Sequence, residues 1–97
     1  MDLPTALDVV YQAMDVVNDL RQASDQIPKK PDVALGGEGG NLDSLALATL
    51  ILAVERRVAE IAGREISLLD EGDLDPRLTR FGSPSALAAL VVEKLAQ

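Results

Sequence analysis

The spacing of the apolar residues constrains the fold of this chain most, because it repeats with the period of an α-helix in three separate segments. The first repeat begins at Leu3, and its apolar residues recur at steps of four and three. Asp2 or Thr5 can cap this helix, and Pro4 suits its first turn. The pattern predicts that the helix fades near Gln22. Its apolar stripe consists of Leu3, Leu7, Val10, Met14 and Val17.

The second repeat predicts a longer helix. It begins at Asp43 or Ser44, either of which can cap the first turn, and runs to about Ala62. Gly63 then supplies a C-terminal stop. At about 100° per residue, six apolar side chains fall within one sector and form the predicted core face. They are Leu47, Leu50, Ile51, Val54, Val58 and Ile61.

Two leucines of this helix do not belong to the core face. Leu45 and Leu52 project about 140 to 160° from its centre, toward solvent, and Ala48 lies beside them. Two exposed leucines on one otherwise polar face, next to a serine that can cap the helix, indicate a contact surface. The alternative is that the preceding loop folds back over them.

The third repeat predicts the final helix. Ser83 and Pro84 form a cap and first-turn pair, and the helix ends near Ala96. Asp75 followed by proline repeats this pattern and predicts a short helix over residues 76–80. The apolar stripe of the final helix consists of Leu87, Leu90, Val91 and Leu95. The sequence therefore predicts one all-α domain over residues 1–97, a small four-helix bundle with a short third helix.

A long loop joins the first two helices. Residues 24–41 contain Pro28 and Pro31, and four of the residues 36–40 are glycine, so we expect a mobile connector. A phosphate-binding loop needs a lysine and a serine or threonine directly after its glycines, and Asn41 and Leu42 stand there instead. The loop therefore does not predict a nucleotide site.

The composition excludes several classes of function. Tyr11 and Phe81 are the only aromatic residues among 97, so the core must be aliphatic. Sixteen acidic residues against nine basic ones give a net charge of −7, which disfavours nucleic acid and favours a basic partner. The chain has no cysteine and no histidine, so it lacks a thiolate, the commonest metal ligand and the usual general base. We therefore predict no catalytic residue.

An acidic cluster over residues 70–75 suggests a cation site. An EF-hand loop that starts at Asp70 would need a bidentate glutamate where Phe81 stands. A solvated turn is therefore the better interpretation, and we predict no metal site. The start of the chain carries no cationic segment before an apolar run, and no apolar stretch is long enough to span a bilayer. These features predict a cytoplasmic protein.

Ser44 is the one hydroxyl group in an informative position. Serine-histidine chemistry is impossible without a histidine, so Ser44 cannot act as a nucleophile of that kind. Two interpretations remain. Ser44 is either a helix cap or a serine that another protein modifies, and the residues alone favour the cap.

A resemblance changes this balance. The run Leu42-Asp43-Ser44-Leu45 is followed by Ala53-Val54-Glu55 and Val58, and later by Glu65-Ile66. This pattern, at the start of the second helix of a small acidic helical chain, resembles the signature of acyl carrier proteins. The resemblance covers most of the chain, and it implies their four-helix fold.

The resemblance implies a role for each matching residue. Ser44 would carry a 4'-phosphopantetheine arm, which a phosphopantetheinyl transferase attaches from coenzyme A with magnesium. Asp43 would lie near the metal site of the transferase during modification. Leu45 and Leu52 would contact partner enzymes that load and process the acyl group, and Glu55 would meet their basic patches. The implied protein is a monomer that carries thioesters in fatty acid, lipid or secondary-metabolite biosynthesis.

The chain departs from the family pattern along its second helix. Fatty-acid carriers usually have acidic residues where this chain has Ala46 and Thr49, and often again at Arg56 and Arg57. The departure indicates a specialised carrier of a dedicated pathway. The rival hypothesis is an unmodified helical module that docks through Leu45 and Leu52. A hydrolase or metal-dependent enzyme has little support without histidine and cysteine.

Overall fold

The computed structural model describes residues 1–35, 42–68 and 82–96 of the chain. These residues form three α-helices: α1 over Leu3–Asn18, α2 over Ser44–Ala62 and α3 over Pro84–Leu95. A short 3-10 turn covers Ala23–Asp25, and the described part contains no strand. The predicted all-α class is therefore confirmed. The predicted short helix at 76–80 lies outside the described residues, so the count of four helices stays a prediction.

Helix α1 begins as the sequence indicates and ends earlier. The Asp2 carboxylate accepts a hydrogen bond from the Thr5 backbone N–H at 2.9 Å, which caps the first turn. The helix ends at Asn18 rather than near Gln22. Leu3, the first residue of the predicted apolar stripe, is 48% exposed and lies outside the core. The buried face of α1 consists of Ala6, Val9, Val10, Ala13, Met14 and Val17.

Helix α2 has the predicted bounds. Gly63 ends it in the left-handed conformation with φ of 72°, which glycine adopts without the steric cost that a side chain adds. Four of its predicted core residues are buried and Leu47 is partly buried. Ile61 is 46% exposed, because the last turn of α2 faces solvent, and its prediction as a core residue is wrong. The buried four are Leu50, Ile51, Val54 and Val58.

Helix α3 follows its predicted cap. The Ser83 hydroxyl accepts a hydrogen bond from the Ala86 N–H at 3.1 Å, and Pro84 takes the first helical position. Leu87, Leu90 and Val91 are buried as predicted. Helix α1 packs against both α2 and α3, so the aliphatic core lies around α1.

The described part of the first loop is attached to the core. Ile27 and Leu35 are buried, and the Leu35 N–H donates to the Gly82 carbonyl oxygen at 2.8 Å. The Leu42 N–H donates to the Leu35 carbonyl oxygen at 3.0 Å, directly before α2. The predicted mobile segment is therefore anchored up to residue 35, and its glycine-rich residues 36–41 lie outside the described part. None of the described helices is long and apolar enough to cross a membrane.

Candidate functional site

The start of α2 is fixed by Asp43. Its carboxylate accepts a hydrogen bond from the Ala46 N–H at 2.8 Å, and its carbonyl oxygen accepts one from the Leu47 N–H at 2.9 Å. Asp43 is therefore the N-cap, and Ser44 is the first helical residue. The backbone of Ser44 is described and its side chain is not. Of the two residues that could cap α2, Asp43 is the one that does so.

The residues at the start of α2 differ in burial. Leu42, just before the cap, is buried in the core. Asp43 and Leu45, which flank Ser44, are both exposed. The first turn of a helix presents backbone N–H groups and the positive end of the helix dipole, which favour an anionic group. Ser44 thus lies in a surface turn whose electrostatics suit a phosphate.

Leu45 and Leu52 face solvent, as their position on α2 predicts. Their side chains are 77% and 56% exposed, so the described part of the first loop, up to residue 35, does not cover them. They are seven residues apart, which places them two turns apart on one face of α2. Leu45 and Leu52 thus share one exposed face of α2, and Leu45 directly follows Ser44 in the first turn of the helix.

A groove between α1 and α2 runs along one side of Leu52. We call it the α1–α2 groove, and its volume is about 450 Å³. Small and aliphatic side chains line much of it, and polar ones complete it. The lining residues are Gln12, Ala13, Val16, Thr49, Leu52, Ala53, Arg56, Arg57 and Glu60. Sequence periodicity did not identify this groove, because it depends on how two helices pack.

A second groove runs along the opposite side of Leu52. We call it the Glu65 groove, and it is more acidic than the first. Its lining residues are Leu52, Glu55, Arg56, Ala59, Glu60, Glu65 and Ile66. Leu52 and Arg56 therefore form a ridge with a different charge on each side.

Glu55 has a contact inside the chain that the sequence did not predict. Its carboxylate accepts a hydrogen bond from the Leu68 N–H at 2.7 Å. Leu68 is fully buried and Glu55 is partly buried. Glu55 therefore positions the segment after α2, whatever it contacts on a partner. Its predicted role as a partner contact stays a prediction.

The two arginines of α2 differ in their surroundings. Arg57 donates from Nε to the Gln12 Oε1 at 2.8 Å and forms an ion pair with Glu60 at 2.9 Å. Arg56 is exposed and forms no ion pair within the described part of the chain. Arg57 is thus held across the α1–α2 groove, whereas Arg56 remains available.

The described residues contain no group of three or more acidic, cysteine or histidine side chains that could hold a metal ion. The acidic residues 70–75 lie outside the described part. No family model matches the chain, and neither a curated protein nor a solved structure matches it.

Proposed function

We propose that this chain is a carrier protein that holds acyl or related intermediates as thioesters on a 4'-phosphopantetheine arm attached to Ser44. The observation that carries the proposal is the cap of α2. Asp43 supplies the capping carboxylate, so Ser44 is not needed as the N-cap. The interpretation that the residues alone favoured for Ser44 thereby loses its basis. This supports the second interpretation, in which another protein modifies Ser44.

The surroundings of Ser44 support the attachment of a phosphate-linked arm. Both neighbours of Ser44 are exposed, so a transferase can reach this turn. A phosphodiester at the first helical position carries a negative charge, which the positive end of the helix dipole stabilises by about 0.3 to 1 kcal/mol at an exposed site. The arm supplies a terminal thiol, and the chain itself has no cysteine to form a thioester.

Attachment needs a second protein, because this chain has no histidine near Ser44 to accept the proton of its hydroxyl group. We expect a phosphopantetheinyl transferase to supply that base and a magnesium ion. The Ser44 oxygen then forms a bond to the phosphorus that carries the arm, and the bond from this phosphorus to the rest of coenzyme A breaks. Asp43 would lie near the metal site of the transferase during this step.

The exposed leucines support the contact with other proteins. Leu45 and Leu52 are exposed on α2, and Leu45 directly follows Ser44, so an enzyme that binds these leucines would also meet the arm. We propose that the partners are the transferase and enzymes that load and process the acyl group. The carrier would act as a monomer in the cytoplasm, in a dedicated biosynthetic pathway.

The rival function is an unmodified helical module that docks through the same leucines. Their exposure, at 77% and 56%, favours either function equally. The two hypotheses differ at Ser44, because only a carrier needs its hydroxyl group. Since Asp43 caps α2, the rival function predicts that Ser44→Ala changes neither the fold nor partner binding.

Intact-protein mass spectrometry separates the two functions. The purified chain is incubated with a broad-specificity phosphopantetheinyl transferase, coenzyme A and magnesium. We expect wild type to gain the mass of one phosphopantetheine and Ser44→Ala to gain none. Ser67→Ala, which removes an exposed serine elsewhere, should gain it as wild type does. If wild type gains no mass, or Ser44→Ala gains it equally well, the carrier function is excluded.

A further inference from the structure

The α1–α2 groove exposes apolar surface on both of its helices. Val16 of α1 is 49% exposed and Leu52 of α2 is 56% exposed. Ala13 and Ala53 also line the groove, and their small side chains leave space between the helices. Facing helices with exposed aliphatic residues and small residues between them form the kind of groove that binds an amphipathic helix.

The charges at this groove define what the bound helix must carry. Two arginines line it, whereas Glu60 is its single lining carboxylate. Glu60 is paired with Arg57, so Arg56 is the charged lining residue that forms no ion pair within the described part of the chain, although it also borders the Glu65 groove. The net charge of the chain is −7, yet this groove is locally basic. Its complement is therefore a carboxylate beside an apolar stripe.

The length of the exposed face also fits a helix. Leu45, Leu52 and Arg56 lie along one line on α2. Intervals of seven and four residues are close to two turns and one turn of an α-helix, so the three side chains project in similar directions. This line spans about 16 Å, or about three helical turns. Of these three residues, Leu52 and Arg56 line the groove, so a helix bound there that contacts Leu52 also reaches Arg56.

We propose that the α1–α2 groove binds an acidic amphipathic helix of a partner protein, whose apolar residues contact Val16 and Leu52 and whose carboxylate pairs with Arg56. The inference rests on the proposed function, because it identifies the chemistry of one partner of the carrier. It places an acidic partner on the side of Leu52 opposite Glu65. A basic partner surface fits the Glu65 groove instead, where Glu55, Glu60 and Glu65 gather.

Two synthetic peptides test this proposal. Each has about 15 to 20 residues, enough to form a helix, and carries leucines on one face. One has glutamates beside the leucines and the other has lysines at the same positions. Both are labelled with a dye and titrated by fluorescence anisotropy against the Ser44→Ala chain, so that no arm takes part. We expect the glutamate peptide to bind more tightly, although the chain is acidic overall.

Matched variants locate the binding. Arg56→Glu should weaken binding of the glutamate peptide about three- to tenfold, because it replaces an exposed ion pair with two negative charges. Lys30→Glu makes the same change of net charge at an exposed residue outside the groove and should leave the affinity unchanged. Leu52→Ser should weaken binding, whereas Leu20→Ser, at a leucine that is 78% exposed outside the groove, should not.

The proposal is overturned if neither peptide binds, if the lysine peptide binds as tightly, or if Arg56→Glu and Lys30→Glu have equal effects. Circular dichroism of each variant confirms that it is folded. This test is independent of modification at Ser44. If wild type gains the mass of phosphopantetheine but the chain does not prefer the glutamate peptide, the carrier function stands and the acidic partner is excluded. If the chain prefers the glutamate peptide but wild type gains no mass, only the carrier function is excluded.

Discussion

The carboxylate of Glu55 accepts a hydrogen bond from the backbone N–H of Leu68 at 2.7 Å, which ties the segment after α2 back to that helix. We expect Glu55→Ala to lower the free energy of unfolding by about 1 to 3 kcal/mol, because it leaves a backbone donor next to a buried leucine without its acceptor. Urea denaturation, followed by circular dichroism, measures this change.

Glu55→Gln separates the hydrogen bond from the charge. The glutamine oxygen can still accept from Leu68, so we expect a loss below about 1 kcal/mol. If Glu55 also meets a basic partner, this variant should bind that partner less well although it remains stable. Glu60→Ala is a control, since its exposed ion pair with Arg57 contributes about 0 to 1 kcal/mol. A Glu55→Ala chain as stable as wild type would refute the structural role.

Asn18 joins the end of α1 to the first loop. Its amide nitrogen donates to the Ile27 carbonyl oxygen at 3.1 Å, and its amide oxygen accepts from the Ile27 N–H at 2.8 Å. Asn18 is only 7% exposed. We expect Asn18→Ala to cost about 2 to 4 kcal/mol, because two buried backbone groups lose their partner. Urea denaturation measures the loss.

Hydrogen exchange at the Ile27 amide provides a local test of the same contact. The amide should be protected in wild type and exchange faster in Asn18→Ala. Asn18→Asp keeps an acceptor for the Ile27 N–H but sets a carboxylate oxygen against the Ile27 carbonyl oxygen in a nearly buried site, so its loss of stability should be at least as large as that of Asn18→Ala. Equal protection of Ile27 in wild type and Asn18→Ala would show that the loop is held by other contacts.

The starts and stops of the helices were predictable because their signals are local. Each helix begins where a side chain accepts a hydrogen bond from the N–H three residues later, at Asp2, Asp43 and Ser83. Gly63 ends α2 in the left-handed conformation that glycine adopts readily. The end of α1 was not predictable in this way. Asn18 turns toward Ile27, and such a nonlocal contact leaves no periodic pattern in the sequence.

The exposed residues of the candidate site were also predictable from the sequence, whereas its tertiary contacts were not. Helix geometry alone places Leu45 and Leu52 away from the core. The bonds from Glu55 to Leu68 and from Arg57 to Gln12 depend on tertiary packing, because their partners lie 13 and 45 residues apart. Periodicity therefore identified the exposed face, whereas the grooves beside it required the structure.

Truncation of a leucine on α2 should destabilise the fold where the leucine is buried and have little effect where it is exposed. Leu52→Ala should change the free energy of unfolding by no more than about 0.5 kcal/mol, because Leu52 is largely exposed. Leu50→Ala should cost about 2 to 5 kcal/mol, because Leu50 is fully buried. Urea denaturation of both variants tests the contrast.

The exposed leucines should instead affect function. We expect the double variant Leu45→Ala with Leu52→Ala to lower kcat/KM for modification by the transferase about tenfold, which corresponds to 1.4 kcal/mol of lost contact. Leu20→Ala removes another exposed leucine and should leave the rate unchanged. A double variant that is modified as fast as wild type would show that the transferase does not use this face.

The cap of α1 should titrate in acid. Hydrogen bonds from the Thr5 side chain and then from its backbone N–H lower the pKa of Asp2 below its ordinary value. Because the pKa of Asp2 is lower in the folded state, its ionised carboxylate stabilises the start of the helix at pH values above the ordinary pKa. This stabilisation is lost as the pH falls through the folded-state pKa. We therefore expect the first turn of α1 to fray as the pH falls below the ordinary pKa of an aspartate and through the lowered pKa of Asp2.

The pH dependence of the Thr5 amide signal in NMR measures this fraying. Asp2→Asn should abolish the transition, because asparagine caps a helix about as well as aspartate and does not titrate in this range. A transition of the same midpoint in Asp2→Asn would assign it to another group.

Asp43 combines a structural role with a proposed functional one, and two substitutions separate them. Asparagine caps a helix about as well as aspartate, so Asp43→Asn should change the free energy of unfolding by only a few tenths of a kcal/mol. It removes the negative charge that would lie near the magnesium ion of the transferase. We therefore expect Asp43→Asn to remain stable and to be modified at Ser44 more slowly than wild type.

Asp43→Ala should show both effects, with a loss of about 0.5 to 2 kcal/mol from the missing cap and slower modification. Asp2→Asn makes the same chemical change at the cap of α1 and should leave the modification rate unchanged. Timed mass spectrometry gives the rates, and urea denaturation gives the stabilities. If Asp43→Asn is modified as fast as wild type, the carboxylate serves only to begin α2, and the charge at this position contributes nothing to the attachment of the arm.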